Sequence, residues 1–342
     1  MKRIIFLSLL IVSLSFTIKA QDLDMPFGVN LAGAEFAHDQ IPGIYGKNYI
    51  YPTTEEIDYF KSKGLTLLRV PFLWERMQPV LGGELDPIEL NRLKTFINAA
   101  QERNVWIIPD MHNYCRRYVG GTRYIIGSSE VTISHLADAW RKLAAELKSY
   151  NNIWGYGVMN EPHDLLENVS WFSIVQATIQ EIRKEDMKTT IIVAGDSWSS
   201  ASRWPTFSGN LKYLKDPSDN LIFEGHIYFD DDASGSYKGS YEDEKASETT
   251  GISRAIPFVE WLKKNNLRGF IGEYGVPDTD PRWLVTLDKL LAYLQKNGVN
   301  GTYWAAGPQW GKYKLAVEPI NGVDRPQMKV LEKYKFADKV KY

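Results

Sequence analysis

Short runs of consecutive apolar, β-prone residues alternate along this chain with longer stretches in which apolar positions recur every three or four residues. The short runs cover residues 27–32, 66–71, 105–111, 153–160, 190–194, 221–227, 269–272 and 301–304, and read as eight strands. Helical spacing fills residues 55–63, 87–103, 134–150, 169–184, 252–265, 281–296 and 326–336. The second of these helices opens on Asp86-Pro87, a capping side chain followed by a proline pre-set for the first helical position. It carries Leu90, Leu93, Phe96, Ile97 and Ala100 on one face. Asp280-Pro281 repeats the device, and Gly298 closes that helix. Only residues 197–219, rich in Ser, Pro, Gly and Trp, offer no more than a short helix.

Strand alternating with helix means a parallel sheet, because consecutive parallel strands need a crossover. Strands that are apolar along their whole length are covered on both faces. Eight such repeats favour closure into a (β/α)8 TIM barrel, a single domain, over an open doubly wound sheet. No Gly-x-Gly-x-x-Gly follows an early strand to mark a dinucleotide fold. The long loops at 33–54, 113–132 and 228–250 all follow strand C-termini, the end at which a barrel builds its site. Within the last of them the charged run at 241–245 is expected to be a solvated loop face.

Lys2 and Arg3, an apolar run over 4–18 and Ala20 before Gln21 read as a secretory signal over residues 1–20, which sends the remaining 21–342 to a secreted or periplasmic location. The apolar run is too short to span a bilayer and no second one follows, so no membrane partner is expected. The formal charge of −2 becomes more negative once the signal's Lys2, Arg3 and Lys19 are removed, which leaves no footprint for nucleic acid. Cys115 is the only cysteine, so no internal disulfide can form and stability must come from the core.

A barrel gathers strand ends that lie far apart in sequence. Here those ends are Asn30, Arg69, His112, Asn160 with Glu161, Trp198, His226 with Tyr228, Glu273 and Trp304. Charged groups are rarely buried without partners, so two glutamates, two histidines and an arginine around one mouth point to chemistry more than to packing. Two carboxyl groups suit acid–base work.

Met159-Asn160-Glu161-Pro162 after the fourth strand and Glu273 after the seventh resemble motifs of the family 5 glycoside hydrolases, the cellulase family. So do Leu67-Leu68-Arg69-Val70-Pro71, Asp110-Met111-His112-Asn113-Tyr114, His226-Ile227-Tyr228 with Asp230, and Trp304; together they span nearly the whole mature chain. Gly28-Val29-Asn30-Leu31-Ala32-Gly33 and the Tyr114, Arg116 spacing bring it nearest the branch that holds endo-β-1,4-glucanases. The resemblance implies a catalytic barrel over 21–342, with Glu161 as general acid and then base and Glu273 as nucleophile of a retaining double displacement. Such a pair supplies a proton to a poor leaving group and stabilises an oxocarbenium-like centre. It further implies substrate-binding roles for Arg69, His112, Asn160, Trp198, His226, Tyr228 and Trp304, with Arg69 keeping Glu273 ionised and Asn160 bonding the sugar 2-hydroxyl. A monomer without metal or cofactor is expected, acting inside soluble or amorphous β-1,4-glucan chains. Mixed-linkage β-glucan, glucomannan, xyloglucan or mannan is the alternative.

Of the eleven tryptophans, Trp140, Trp171, Trp261 and Trp283 fall in helices and Trp106 and Trp154 near strand starts, where core packing is expected. Trp74, Trp198, Trp204, Trp304 and Trp310 follow strand C-termini, where an indole can stack on the apolar face of a pyranose. Cys115 reads as packing, with no base to pair with it. A metal-dependent hydrolase built on Asp110, His112, His226 and Glu273 is disfavoured, because no His-x-His or His-Glu-x-x-His occurs. A sugar-binding protein on a disabled barrel is disfavoured because both glutamates are present.

Overall fold

The computed structural model describes residues 25–335; the signal expected at 1–20 and the last residue of the helix expected at 326–336 lie outside them. The strands are β1 (Gly28–Leu31), β2 (Leu67–Phe72), β3 (Trp106–Met111), β4 (Arg116–Val119), β5 (Thr122–Ile125), β6 (Tyr156–Gly157), β7 (Ile191–Ala194), β8 (Leu221–Ile227), β9 (Gly269–Tyr274) and β10 (Asn300–Ala306). Eight of them close into a barrel in the order β1-β10-β9-β8-β7-β6-β3-β2, and every recorded pair in it is parallel. This is the expected (β/α)8 barrel. β4 and β5 form a separate antiparallel hairpin inside the loop after β3.

The crossover helices are α1 (Thr54–Ser62), α2 (Trp74–Met77), α3 (Pro87–Glu102), α4 (Ile133–Leu147), α5 (Trp171–Glu185), α6 (Trp204–Phe207), α7 (Thr250–Asn265), α8 (Pro281–Lys296) and α9 (Met328–Leu331). Asp86 accepts from the backbone N–H groups of Ile88 and Glu89, and Asp280 from that of Arg282, as the two Asp-Pro starts imply. The weak fifth crossover resolves into two short 3-10 turns around α6. The last helix shrinks to α9.

The fourth strand, expected over 153–160, pairs regularly only at Tyr156–Gly157. Its backbone still donates to both neighbours, from Asn160 to Met111 at 2.8 Å and from Val158 to Ile192 at 3.3 Å. Gly155 and Gly157 explain the thin pairing. A Cβ at Gly157 would lie 2.7 Å from Asp110 Oδ1, so this strand gives up side chains to make room for a neighbour's carboxyl.

Side chains facing into the barrel stack in layers, because strand residues alternate faces. Leu67, Ile108, Trp154, Ile192, Ile222 and Phe270 close the bottom as one apolar cluster. Two residues further along the strands stand Arg69, Asp110 and Glu224, a buried charged layer that an all-apolar strand pattern would not suggest. The reacting groups lie above it.

Two tryptophans expected at the mouth are core residues instead. Trp204 has no exposed surface and packs on Phe258 and Trp261, with ring centroids 4.6 and 5.4 Å away. Trp74 is equally covered, bonded to Gln78 and lying under the Arg117 guanidinium. Both partners belong to α7, so the α6 indole points into the helical layer and away from the mouth. Trp204→Ala is therefore expected to cost about 3–5 kcal/mol of stability, measured by chemical denaturation, with KM unchanged. In the run at 241–245 the expected solvated face is only partly seen: Glu242, Asp243 and Lys245 are exposed. Tyr241 packs on Trp283, and Glu244 accepts from the N–H groups of Asp231 and Gly239.

Candidate active site

Arg69 is the hub. Its Nη1 donates to Asn30 Oδ1 at 2.8 Å and Glu273 Oε1 at 3.2 Å, and its Nη2 to Asn160 Oδ1 at 2.7 Å. Nη2 also lies 3.0 Å from Asp110 and Nε 3.1 Å from Glu224, close enough for ion pairing though off the hydrogen-bond line. Expected to meet the substrate, Arg69 instead lies beneath the site as its scaffold: all three of its guanidinium nitrogens face protein acceptors. Burial costs a lone guanidinium heavily, but three carboxylates surround it and keep it charged.

Above Arg69, His112 Nδ1 faces Asp110 Oδ2 at 2.9 Å, and its Nε2 accepts from Asn160 Nδ2 at 3.3 Å. Burial drives the His112 pKa down to about 3, with Glu273 pulling the other way, so the ring is neutral. The same burial lifts Asp110 to about 7 against the pull of Arg69. Both ends of the Asn160 amide are thus held.

Glu161 sits just beyond β6 in the left-handed region, at φ 41°, a backbone conformation that a non-glycine residue keeps only when its surroundings hold it there. One oxygen faces His226 Nδ1 at 2.7 Å. Glu273 reaches the interior by a different device. Pairing runs Gly225 to Ile271 and then His226 to Glu273, so β9 carries one extra residue, Gly272, and the bulge turns the next side chain inward. Tyr228 Oη donates to Glu273 Oε2 at 2.7 Å, while Arg69 holds Oε1. A carboxyl oxygen of Glu161, a ring nitrogen of His226 and a carboxyl oxygen of Glu273 all lie within 4.8 Å of one another.

Burial pushes the Glu273 carboxyl upward; His226 pulls it down, Glu161 pushes it up and Arg69 pulls it down. The expected influence of Arg69 is real but is not the deciding one.

Trp304, partly exposed and joined to Ala305 by a cis peptide bond, stacks on His112 at 5.5 Å with only 10° between the planes. Trp310 meets it edge-on. Trp198 is 40% exposed, stacks on His163 at 4.4 Å, and its backbone N–H donates to the Pro162 carbonyl, which places it on the Glu161 side of the mouth. His112, Asn160, His226 and Tyr228 are buried walls and floor. Glu224 and Glu35 did not stand out in the sequence. The two-residue step back from His226 along β8 could have marked Glu224 as facing the same way.

Glu35, in the loop after β1, accepts from the Gly33 N–H at 2.8 Å, and burial pushes it up to about 8. A carboxyl raised on folding adds no penalty below its unfolded pKa; the cost of ionising it grows as pH climbs and is complete above about 8. Glu35→Gln keeps an acceptor for Gly33. Its Tm should match the wild type near pH 4 and exceed it by an amount worth a few kcal/mol (~1.4 per pKa unit) above pH 8. A difference that does not vary with pH would contradict this.

The sequence profile of the cellulase family, glycosyl hydrolase family 5, matches residues 27–309. The chain belongs to glycoside hydrolase family 5. Among its relatives in the family, endo-β-1,4-glucanase B of Emericella nidulans is 35% identical over 301 residues, covering 87% of each chain. The crystal structure of Pseudomonas stutzeri endoglucanase Cel5A is 42% identical and superposes with a TM-score of 0.86 over 92% of this chain and 95% of that one. The same relative has been crystallised with cellobiose. An endo-β-1,4-glucanase of Xanthomonas axonopodis pv. citri is 36% identical, with a TM-score of 0.83 over 90% of this chain and 98% of that one. This family 5 glycoside hydrolase therefore shares its barrel with solved endoglucanases along almost its whole described length.

Proposed function

We propose that this enzyme is a retaining endo-β-1,4-glucanase with Glu161 as general acid and base and Glu273 as nucleophile. The observation that carries the reading is the carboxyl pair, with an oxygen of each within 4.8 Å of the other. Retaining glycosidases hold their carboxyls roughly 5–5.5 Å apart, whereas inverting ones leave room for a water between them at roughly 6.5–9.5 Å. Both Glu273 oxygens are taken by donors, Tyr228 and Arg69, which favours its anionic form. In this reading Glu161 enters the reaction as the proton donor. With one oxygen of that carboxyl accepting from His226, the other presents the proton to the glycosidic oxygen.

In the first step Glu273 attacks the anomeric carbon, the C–O bond to the leaving sugar breaks, and Glu161 protonates that oxygen. In the second, Glu161 takes a proton from water, which attacks the same carbon and frees Glu273. Asn160 can reach the reacting sugar only through the Nδ2 hydrogen it does not give to His112, and the 2-hydroxyl is the group we assign to it. Trp304 supplies a stacking face on the glycone side and Trp198 one on the leaving-group side.

The relatives' names and the cellobiose complex support a β-1,4-glucan as substrate. A cavity of about 610 Å³ lies between the loops after β1, β2 and β3, with Ile41, Glu75, Val80, Arg117 and Tyr118 in its lining. Among the described residues no helix is long and apolar enough to cross a membrane. Secretion rests on residues 1–20 alone.

The test is the product course on a soluble β-1,4-glucan, run beside mixed-linkage β-glucan and mannan. Viscosity should collapse before much reducing sugar accumulates, and the first products should appear as the β anomer in proton NMR. Early release of one short sugar from chain ends would defeat the endo reading, and an α anomer the retaining one. Trp304→Ala should raise KM or lower kcat/KM by about tenfold or more, the loss of one stacking surface worth ~1.5 kcal/mol. Trp261→Ala should instead lower Tm.

A further inference from the structure

We propose that Glu224 is a positioning residue of the reaction: it clamps His226 so that the imidazole keeps an N–H donor aimed at Glu161 and Glu273 throughout the cycle. The inference rests on the two-glutamate reading and adds a residue to it.

His226 stands among groups from several elements. Glu161 after β6 lies 2.7 Å from its Nδ1, Glu273 on β9 3.6 Å from the same nitrogen, and Glu224 on β8 3.2 Å from its Nε2. Asp110 and His112 on β3 and Arg69 on β2 complete the charged surroundings. Glu224 and Glu273 accept as carboxylates, and the Glu161 oxygen facing Nδ1 is the one that does not carry the proton, so the imidazole donates from both nitrogens. Burial works against that charge, but Glu273, Glu161 and Glu224 outweigh it and hold His226 up to about 10. Remove the Nε2 acceptor and the ring can shed that proton while still donating from Nδ1.

Glu224 is built into this place. It is 1% exposed, and Arg69 Nε lies 3.1 Å from the oxygen that faces His226. The chain also reserves space for it: a Cβ at Gly272 would fall 1.7 Å from Glu224 Oε1. The bulge residue that turns Glu273 inward is therefore the same residue that lets Glu224 under His226. The imidazolium beside Glu161 stabilises the carboxylate formed when the proton is given to the leaving group, so Glu224 sets the strength of the acid through the ring it holds.

The experiment compares the wild type with Glu224→Gln and Gly272→Ala. In the wild type, nitrogen-15 histidine NMR should show His226 doubly protonated through pH 8; a neutral ring at pH 7 overturns the proposal even if neither variant folds. In Glu224→Gln, His226 should titrate near neutral pH. Losing the nearer positive charge then outweighs losing the farther negative one, and both limbs of the kcat/KM profile should rise by about 1 pH unit. Limbs that stay or fall, in a variant with native circular dichroism, overturn the proposal, because a merely structural carboxylate would not move them upward. Gly272→Ala keeps the carboxyl but crowds it aside, and should shift His226 in the same direction. These outcomes are separable from failure of the two-glutamate reading, which would appear as activity surviving in Glu161→Gln or Glu273→Gln.

Discussion

Glu161→Gln and Glu273→Gln should each silence hydrolysis of a soluble β-1,4-glucan while leaving the fold intact, and then part company on an activated aryl glycoside. The Glu161 change removes the proton donor, a contribution on the order of 10²–10⁴ in rate for general acid–base catalysis. A leaving group that departs without protonation bypasses that need, so the glycosyl-enzyme should still form and azide should speed its turnover. The Glu273 change removes the nucleophile, and mass spectrometry should find no glycosyl-enzyme. Folding should survive in both: Glu161 is partly exposed, and at 273 an amide oxygen can still accept from Tyr228 and Arg69. Equal residual activity in the two variants on every substrate would reverse or void the assignment.

Arg69→Met should be the most damaging single change in the barrel. Asp110, Glu224 and Glu273 would lose the cation they share, and breaking a buried pair by deleting one partner costs roughly 3–5 kcal/mol. The sign with pH follows from the carboxyls. In the native protein Arg69 pulls on all three, and the Glu224 carboxyl, despite a burial that pushes it up, ends below its usual value. Glu224 therefore adds stability above its unfolded pKa, lost as pH falls through the folded one. Without Arg69 the three carboxyls rise, the folded state binds protons that the unfolded chain does not, and the deficit against wild type widens as pH climbs from about 4 to 7. The acid limb of the activity profile should move up with Glu273, and kcat should fall far more than substrate affinity, since Arg69 touches no substrate. Tm values at pH 4.5 and 7.5 decide it; an unchanged acid limb with a uniform loss of Tm would reduce Arg69 to packing.

The barrel was legible because its signal is repetitive: eight apolar runs, each followed by helical spacing or a long loop. The proposed carboxyl pair stood out because each glutamate lies beside Pro or Gly at a strand end, among other polar strand ends, in a motif that resembles the family's. What stayed hidden is local. Strict alternation puts Phe270 and Gly272 inward and Glu273 outward, and only the extra residue in β9 corrects this, a feature that pairing register reveals and composition does not. Trp74 and Trp204 were misplaced because a strand-end position says nothing about which way the chain turns next. Arg69 was identified but put on the wrong side of the site, since sequence gives a side chain's strand and not its depth.

The lone thiol offers a use independent of catalysis. Cys115 has no exposed surface and burial pushes its pKa upward, so the folded protein presents no reactive thiolate. It follows Tyr114 in the turn that leads from β3 into the β4–β5 hairpin, with both residues at positive φ. An alkylating reagent can reach it only when that turn lifts from the barrel, so the labelling rate in native buffer is a clock for local opening at the mouth. An oligosaccharide seated across the groove should slow that clock, giving a measure of occupancy in variants that no longer turn over.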